Sequence, residues 1–176
     1  KVKFMYENLP SWLKVDAAEN NKLNLRLTNG SQIKATSASS DAGRSEAVSL
    51  LLIDEAAFID NIGEIWASAQ QTLATGGGCI ALSTPYGTGN WFHQTWSRAE
   101  SSENDFLPIK LPWYVHPERD ETWRKKQDEL LGDPRLAAQE CDCDFSTSGD
   151  VVFFPEYLEY YEKSFIKDPI ERRGAD

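Results

Sequence analysis

Leu50-Leu51-Leu52-Ile53-Asp54-Glu55-Ala56-Ala57-Phe58-Ile59-Asp60 is the stretch on which the fold turns. Four branched aliphatic residues without a polar interruption predict a strand buried on both faces, as in a parallel sheet covered by helices. Two carboxylates follow at once. At the last residues of such a strand, Asp54 and Glu55 both reach the rim where open α/β sheets bind their ligands. Two acids buried there without compensation would be costly, so the pair implies a metal ion, a cationic neighbour or solvent.

Two readings of the pair stand side by side. In a Walker B motif the first acid holds magnesium through its water shell, and the second orients or deprotonates a water that attacks a nucleoside triphosphate. The alternative is a strand that ends in two solvated acids. Downstream, Asn61 and Glu64 have capping-box spacing, and Ile62, Ile65, Trp66, Ala69 and Leu73 recur at helical steps. Gly76-Gly77-Gly78 then reads as a helix stop, since a P-loop needs Gly-x-x-x-x-Gly-Lys-Ser/Thr and no Lys-Ser or Lys-Thr follows. A second apolar strand, Cys79-Ile80-Ala81-Leu82, ends in Ser83-Thr84-Pro85. Hydroxyls delivered to a rim suit sensing a phosphate or a lytic water, although Ser, Thr and Pro are also common at strand-to-loop junctions.

Composition sets the outer limits. The chain has 176 residues, 40% hydrophobic and 26% charged, which suits one globular domain or one and a half small ones. A formal charge of -10 argues against a uniformly basic nucleic-acid binder, without excluding local patches. Three cysteines suit a reducing cytoplasm. No signal peptide and no apolar run of about 18 residues is present, so no membrane segment is expected.

Before the central strand, Phe4, Met5, Leu9, Trp12 and Leu13 fit an amphipathic helix interrupted at Pro10. The opening Lys1-Val2-Lys3-Phe4 is expected of a piece of a longer chain. Alternation over 23–28, then Asn29-Gly30, then 31–36 predicts a hairpin with a type I′ turn. The small polar run 37–45 is read as a loop whose one large charge is Arg44, either a phosphate or carboxylate contact or a solvated arginine.

After the second apolar strand, Tyr86 to Asn90 opens a short helix, whose Trp91, Phe92, Thr95 and Trp96 read as core rather than a base-stacking platform. Residues 106–111 read as a last strand. Residues 118–131 and 134–143 are charged, helical and sparsely apolar. Arg119, Arg124, Lys125 and Lys126 form a DNA-facing or subunit-facing patch, or simply a solvated helix face. Glu140-Cys141-Asp142-Cys143-Asp144 invites a metal reading, but a Cys-x-Cys without a second pair or a nearby histidine is weak evidence for zinc, and the end of a helix is preferred. The aromatic and polar tail, 151–176, reads as a linker toward another domain.

Taken in order, Ser-Ser-Asp-Ala-Gly-Arg (39–44), the run 50–59, Ser-Thr-Pro (83–85), Gly-Thr-Gly-Asn-Trp-Phe (87–92) and Ala-Gln-Glu-Cys-Asp-Cys-Asp-Phe (138–145) resemble the large terminase subunit of tailed bacteriophages, most nearly the contractile-tailed branch. The resemblance implies an α/β fold, an incomplete three-layer P-loop NTPase-like (ASCE) sandwich with a small helical subdomain at its C-terminal end. Residues 1–112 would be the later part of the ATPase core, 113–147 the helical subdomain, and 148–176 a hinge toward a nuclease domain. It further implies that Asp54 is the magnesium-binding acid, Glu55 the catalytic glutamate and Ser83-Thr84-Pro85 the coupling motif, with Ser83 and Thr84 at the nucleotide. Arg44 matches a family arginine, although Ser45 replaces the glycine usual after it.

The implied cofactors are ATP and Mg2+. The implied partners are double-stranded viral DNA, the portal protein, the small terminase subunit and further copies in a ring, in the host cytoplasm and transiently at the procapsid portal. The Walker A loop would lie upstream and the nuclease downstream, so the piece alone is expected to hydrolyse ATP negligibly. A helicase motor shares the Asp-Glu strand but usually shows Ser-Ala-Thr on the next one. A non-catalytic α/β adaptor with solvated acids is the reading of a different class.

Overall fold

The computed structural model describes residues 1–38, 48–74, 76–146 and 155–165. Helix α1, Val2–Glu7, is shorter than its apolar spacing predicts. The Asn8 side-chain amide donates to the Phe4 carbonyl at 2.8 Å and closes the helix before Pro10 is reached. Three strands follow as an antiparallel sheet in the order β1 (Ala17–Asn20), β2 (Asn24–Leu27), β3 (Gln32–Lys34). The first of these has no sequence signature of a strand.

The hairpin forms where expected, but its turn differs. Leu27 N–H donates to Ser31 C=O at 2.8 Å and Gly30 N–H to Leu27 C=O at 3.0 Å, a three-residue loop in which Gly30 alone takes a positive φ of 88°. A type I′ turn at Asn29-Gly30 would make Thr28 the last paired residue of β2 against Ser31. Instead Thr28 N–H donates to the Asp16 carbonyl at 2.8 Å. The pairing of β2 with β1 therefore moves the turn back by one residue.

Strands β4 (Leu50–Ile53) and β5 (Gly78–Ala81) pair in parallel, Leu50 opposite Gly78 and Ile53 opposite Ala81, as the two apolar runs predict. Between them runs α2, Ile62–Leu73, which buries Ile62, Ile65 and Ala69. The prediction of burial on both faces is corrected. Leu51, Ile53, Cys79 and Ala81 pack with Ala56, Ile62, Ile65, Trp66, Trp91 and Phe92, whereas Leu50, Leu52, Ile80 and Leu82 on the opposite face remain exposed. Among the described residues nothing covers that second face.

Asn61 does sit at the N-cap of α2, yet the capping box does not form. Its φ of 57° is left-handed rather than extended, and its side chain makes no cap hydrogen bond. Its carbonyl instead accepts from Glu64 N–H at 3.0 Å and Ile65 N–H at 3.2 Å. The glycine run ends the helix as expected. A Cβ on Gly77 would lie 2.3 Å from the Val48 carbonyl oxygen, so the chain passes from α2 into β5 through a space only glycine fits.

Helix α3, Trp91–Glu100, is capped by Asn90, whose Oδ1 accepts from His93 N–H at 2.9 Å. Its aromatics belong to the packing, as read: Trp91 and Phe106 both lie against Trp66, and Phe92 and Trp96 against Phe145. Residues 106–111 form no strand. Burial alternates only as far as Ile109, with Phe106 and Pro108 half-buried and Leu107 exposed, and Ile109, Lys110 and Leu111 are all exposed; Pro108 lacks a donor and no described strand lies alongside.

The helical part consists of α4 (Glu121–Leu131) and α5 (Pro134–Ala137), the latter running directly into a π-helical turn, Ala138–Asp142. Helix α6, Pro155–Phe165, occupies part of the stretch read as a linker.

Candidate functional site

The two apolar strands end side by side, and this brings distant residues together. Leu82 N–H donates to Ile53 C=O at 2.9 Å, and Ala56 N–H returns to Leu82 C=O at 3.1 Å, extending the parallel ladder past both strand ends. Asp54 and Glu55 therefore emerge beside Ser83 and Thr84 at the carboxyl-end rim, the position at which open α/β sheets hold ligands. Ala57 N–H donates to Ser83 Oγ at 3.2 Å, which ties the two motifs by a side chain as well.

Small residues set the height of the acids. Ala56 is fully buried and Ala57 nearly so, and the 3-10 turn Ala56–Phe58 is drawn down onto the core. Asp54 and Glu55, just before it, are left exposed. Glu55 also has φ 55° and ψ 40°, a left-handed conformation that costs a non-glycine residue roughly 1 kcal/mol. Asp54 Oδ1 accepts from Glu55 N–H at 3.1 Å and braces the bend.

The loop after Ser-Thr-Pro is held closely. Pro85 is buried, and the Tyr86 ring lies 4.6 Å from that of Phe58, clipping this loop to the turn after the acids. Asn90 Nδ2 donates to Tyr86 C=O at 2.6 Å, Gln94 Nε2 to Gly89 C=O at 2.6 Å, and Gly89 N–H to His93 Nδ1 at 3.2 Å. His93 is thus a fastening of the loop, with its ring edge on Phe145.

A contact from the helical part completes the rim. Thr84 Oγ1 donates to Glu140 Oε1 at 3.4 Å, and Gln139 Nε2 donates to the same oxygen at 2.9 Å. Sequence reasoning met Glu140 only within the run 140–144 considered for a metal, not as a partner of Thr84. In the structure it is the exposed acid between Gln139 and Cys141, which are 6% and 5% exposed. Arg44 lies outside the described residues.

Two of the four residues of the basic patch have internal partners. Arg124 turns inward, its guanidinium donating to Asp142 Oδ2 at 3.0 Å and to Asp128 Oδ1, and the Asp142 hydrogen bond holds its pKa above the ordinary arginine value. Arg119 lies 4.5 Å over the Trp123 ring. Lys125 and Lys126 are exposed.

Cys143 ends the π-helical turn with φ 56°, and burial pushes the thiols of Cys141 and Cys143 up. Among the described residues no three His, Cys, Asp or Glu side chains gather to hold a metal. Magnesium does not require such a cage, because it keeps several waters and rests on one or two carboxylates plus substrate phosphates. An exposed Asp54 at a strand end fits that donor set.

Comparison with protein families agrees with the resemblance to large terminase subunits. The family described as "Terminase large subunit, T4likevirus-type, N-terminal" matches residues 1–156, most of the sequence. The chain belongs to the T4-like family of terminase large subunits.

Proposed function

We propose that the chain is the Walker B-to-hinge portion of a packaging ATPase that drives viral double-stranded DNA into a procapsid. The observation that carries this reading is the joint rim. Two motifs nearly thirty residues apart in sequence are hydrogen-bonded neighbours at the carboxyl ends of parallel strands, with both acids facing solvent. Asp54 would hold Mg2+ through water, and the bound ion would neutralise charge on the ATP phosphates. Glu55 takes a proton from, or orients, the attacking water. Ser83 and Thr84 sit where a change at the nucleotide is felt by the loop, and Arg44 is the candidate for a phosphate contact.

The apolar face of β4 and β5 that no described residue covers supports the same reading, since a sheet of this kind takes helices on both sides. In this proposal the further layer and the phosphate-gripping loop come from sequence upstream. The segment after residue 147 is the hinge toward a nuclease. Partners are the portal, the small terminase subunit and further copies in a ring, in the host cytoplasm at the procapsid.

The test is ATP turnover by the protein that carries this chain together with its upstream segment. Magnesium-dependent hydrolysis is expected, with Glu55→Gln reducing kcat by about 100-fold or more. The chain by itself is expected to be inactive, as it contains no Gly-x-x-x-x-Gly-Lys-Ser/Thr. Turnover unaffected by Glu55→Gln would overturn the assignment of the site. Turnover by the isolated chain, lost on Glu55→Gln, would overturn the need for an upstream half.

A further inference from the structure

The two hydroxyls of Ser83-Thr84 are engaged in opposite senses. A hydroxyl has one proton to donate and two lone pairs to accept with. Ser83 Oγ accepts from the Ala57 N–H, which leaves its proton for another partner. Thr84 Oγ1 has its proton directed to Glu140 Oε1. While that proton is on Glu140, Thr84 can only accept toward the rim. A phosphate oxygen is itself an acceptor and gains nothing from such a group, whereas a water molecule can donate to it.

The carboxylate that imposes this polarity is fixed from behind. Glu140 Oε1 also accepts from Gln139 Nε2 at 2.9 Å, and Gln139 is 6% exposed between buried Ala137 and Cys141. The backbone at this point is the π-helical turn Ala138–Asp142, a distortion that recurs at functional sites because it re-aims the side chains it carries. Phe145, just beyond, packs on Phe92, His93 and Trp96 of α3 and anchors the turn to the core.

We propose that Glu140 is a positioning residue which, by accepting the Thr84 proton, makes Thr84 hold a water at the rim rather than a phosphate oxygen. Resting on the nucleotide-site reading above, this divides the motif: Ser83 is the hydroxyl that donates, and Thr84 the one that orients water beside Glu55. The link also joins the helical part of the chain to the reacting end of the sheet, so a shift of that turn changes the water's placement before it changes nucleotide binding.

The experiment uses the intact, upstream-extended protein and reads kcat, KM for ATP and the Kd of a non-hydrolysable ATP analogue with magnesium. Glu140→Ala and Thr84→Val are each expected to lower kcat by about 10- to 100-fold, the scale of a misplaced reacting group. Analogue affinity should stay within about twofold, because the interaction acts on the chemical step and not on binding. The double variant should be no slower than either single one, and Thr84→Ser, which keeps the hydroxyl, should retain most of the activity. A general loss of fold would weaken analogue binding and would not be rescued by Thr84→Ser.

Unchanged kcat in Glu140→Ala, additive losses in the double variant, or a loss that appears in Kd alone would overturn the role of Glu140 while leaving the nucleotide site standing. Wild-type protein without turnover, or turnover indifferent to Glu55→Gln, would overturn both.

Discussion

The two faces of the β4–β5 pair carry nearly the same chemistry and have opposite fates. Leu51, Ile53, Cys79 and Ala81 lie under α2 and α3, while Leu50, Leu52, Ile80 and Leu82, their neighbours by one residue, stand in solvent. Side chains alternate strictly along a strand, so an uninterrupted apolar run needs two covers. The described residues supply one. The difference teaches that this sequence is written for a thicker object than the described residues build, and that the rim acids rest on the covered side alone.

The comparison can be broken most forcefully at Ile53. Its side chain is 6% exposed among Ala56, Ile62 and Ile65, and Ile53→Ala should destabilise the chain by about 2–5 kcal/mol in urea unfolding. A loss below about 1 kcal/mol would mean that the covered face is not the core. Cys79, on the same face, gives a chemical reading of the cover. Burial pushes its thiol up to about 11. The thiolate is the reactive form, and at pH 8 its fraction should be roughly 200-fold smaller than in an ordinary thiol with a pKa near 8.5, so alkylation should be slow and should accelerate as pH rises toward 11. Peptide mapping after iodoacetamide measures it, and an ordinary rate at Cys79 would show that the cover opens.

The smallest effect belongs to the bare face. Leu52→Thr and Ile80→Thr should each shift stability by no more than about 1 kcal/mol, since the two residues stand opposite each other on an exposed face and lose little beyond that mutual contact. Their exposed area should nonetheless register as reduced dye binding. A large destabilisation would show that this face has a partner within the chain.

Much of this arrangement was legible in the sequence. Leu50 to Ile53, the helical recurrence from Ile62 to Leu73 and the Cys79 strand are local patterns, and each is long or apolar enough to override its neighbours. The elements that the sequence left unread or suggested wrongly depend on partners far away. Ala17–Asn20 becomes a strand because β2 offers it a ladder, not through its own propensity, and the same pairing displaced the predicted turn. Residues 106–111 alternate in burial only as far as Ile109 and have no described strand to pair with. At the site, Asp54, Glu55, Ser83 and Thr84 could be placed from strand ends. Glu140 could not, because its meeting with Thr84 spans 56 residues and is set by the packing of Phe145 on α3.

The left-handed backbone at Glu55 has a consequence for anyone who would engineer this chain. Position 55 is one where glycine or asparagine suits the main chain better than glutamate. A library selected only for heat resistance would therefore tend to discard the acid, and would return hardier proteins from which the proposed chemistry had been edited out. Stability ranks the substitutions at this residue in one order and turnover in the reverse, so a screen here has to score both.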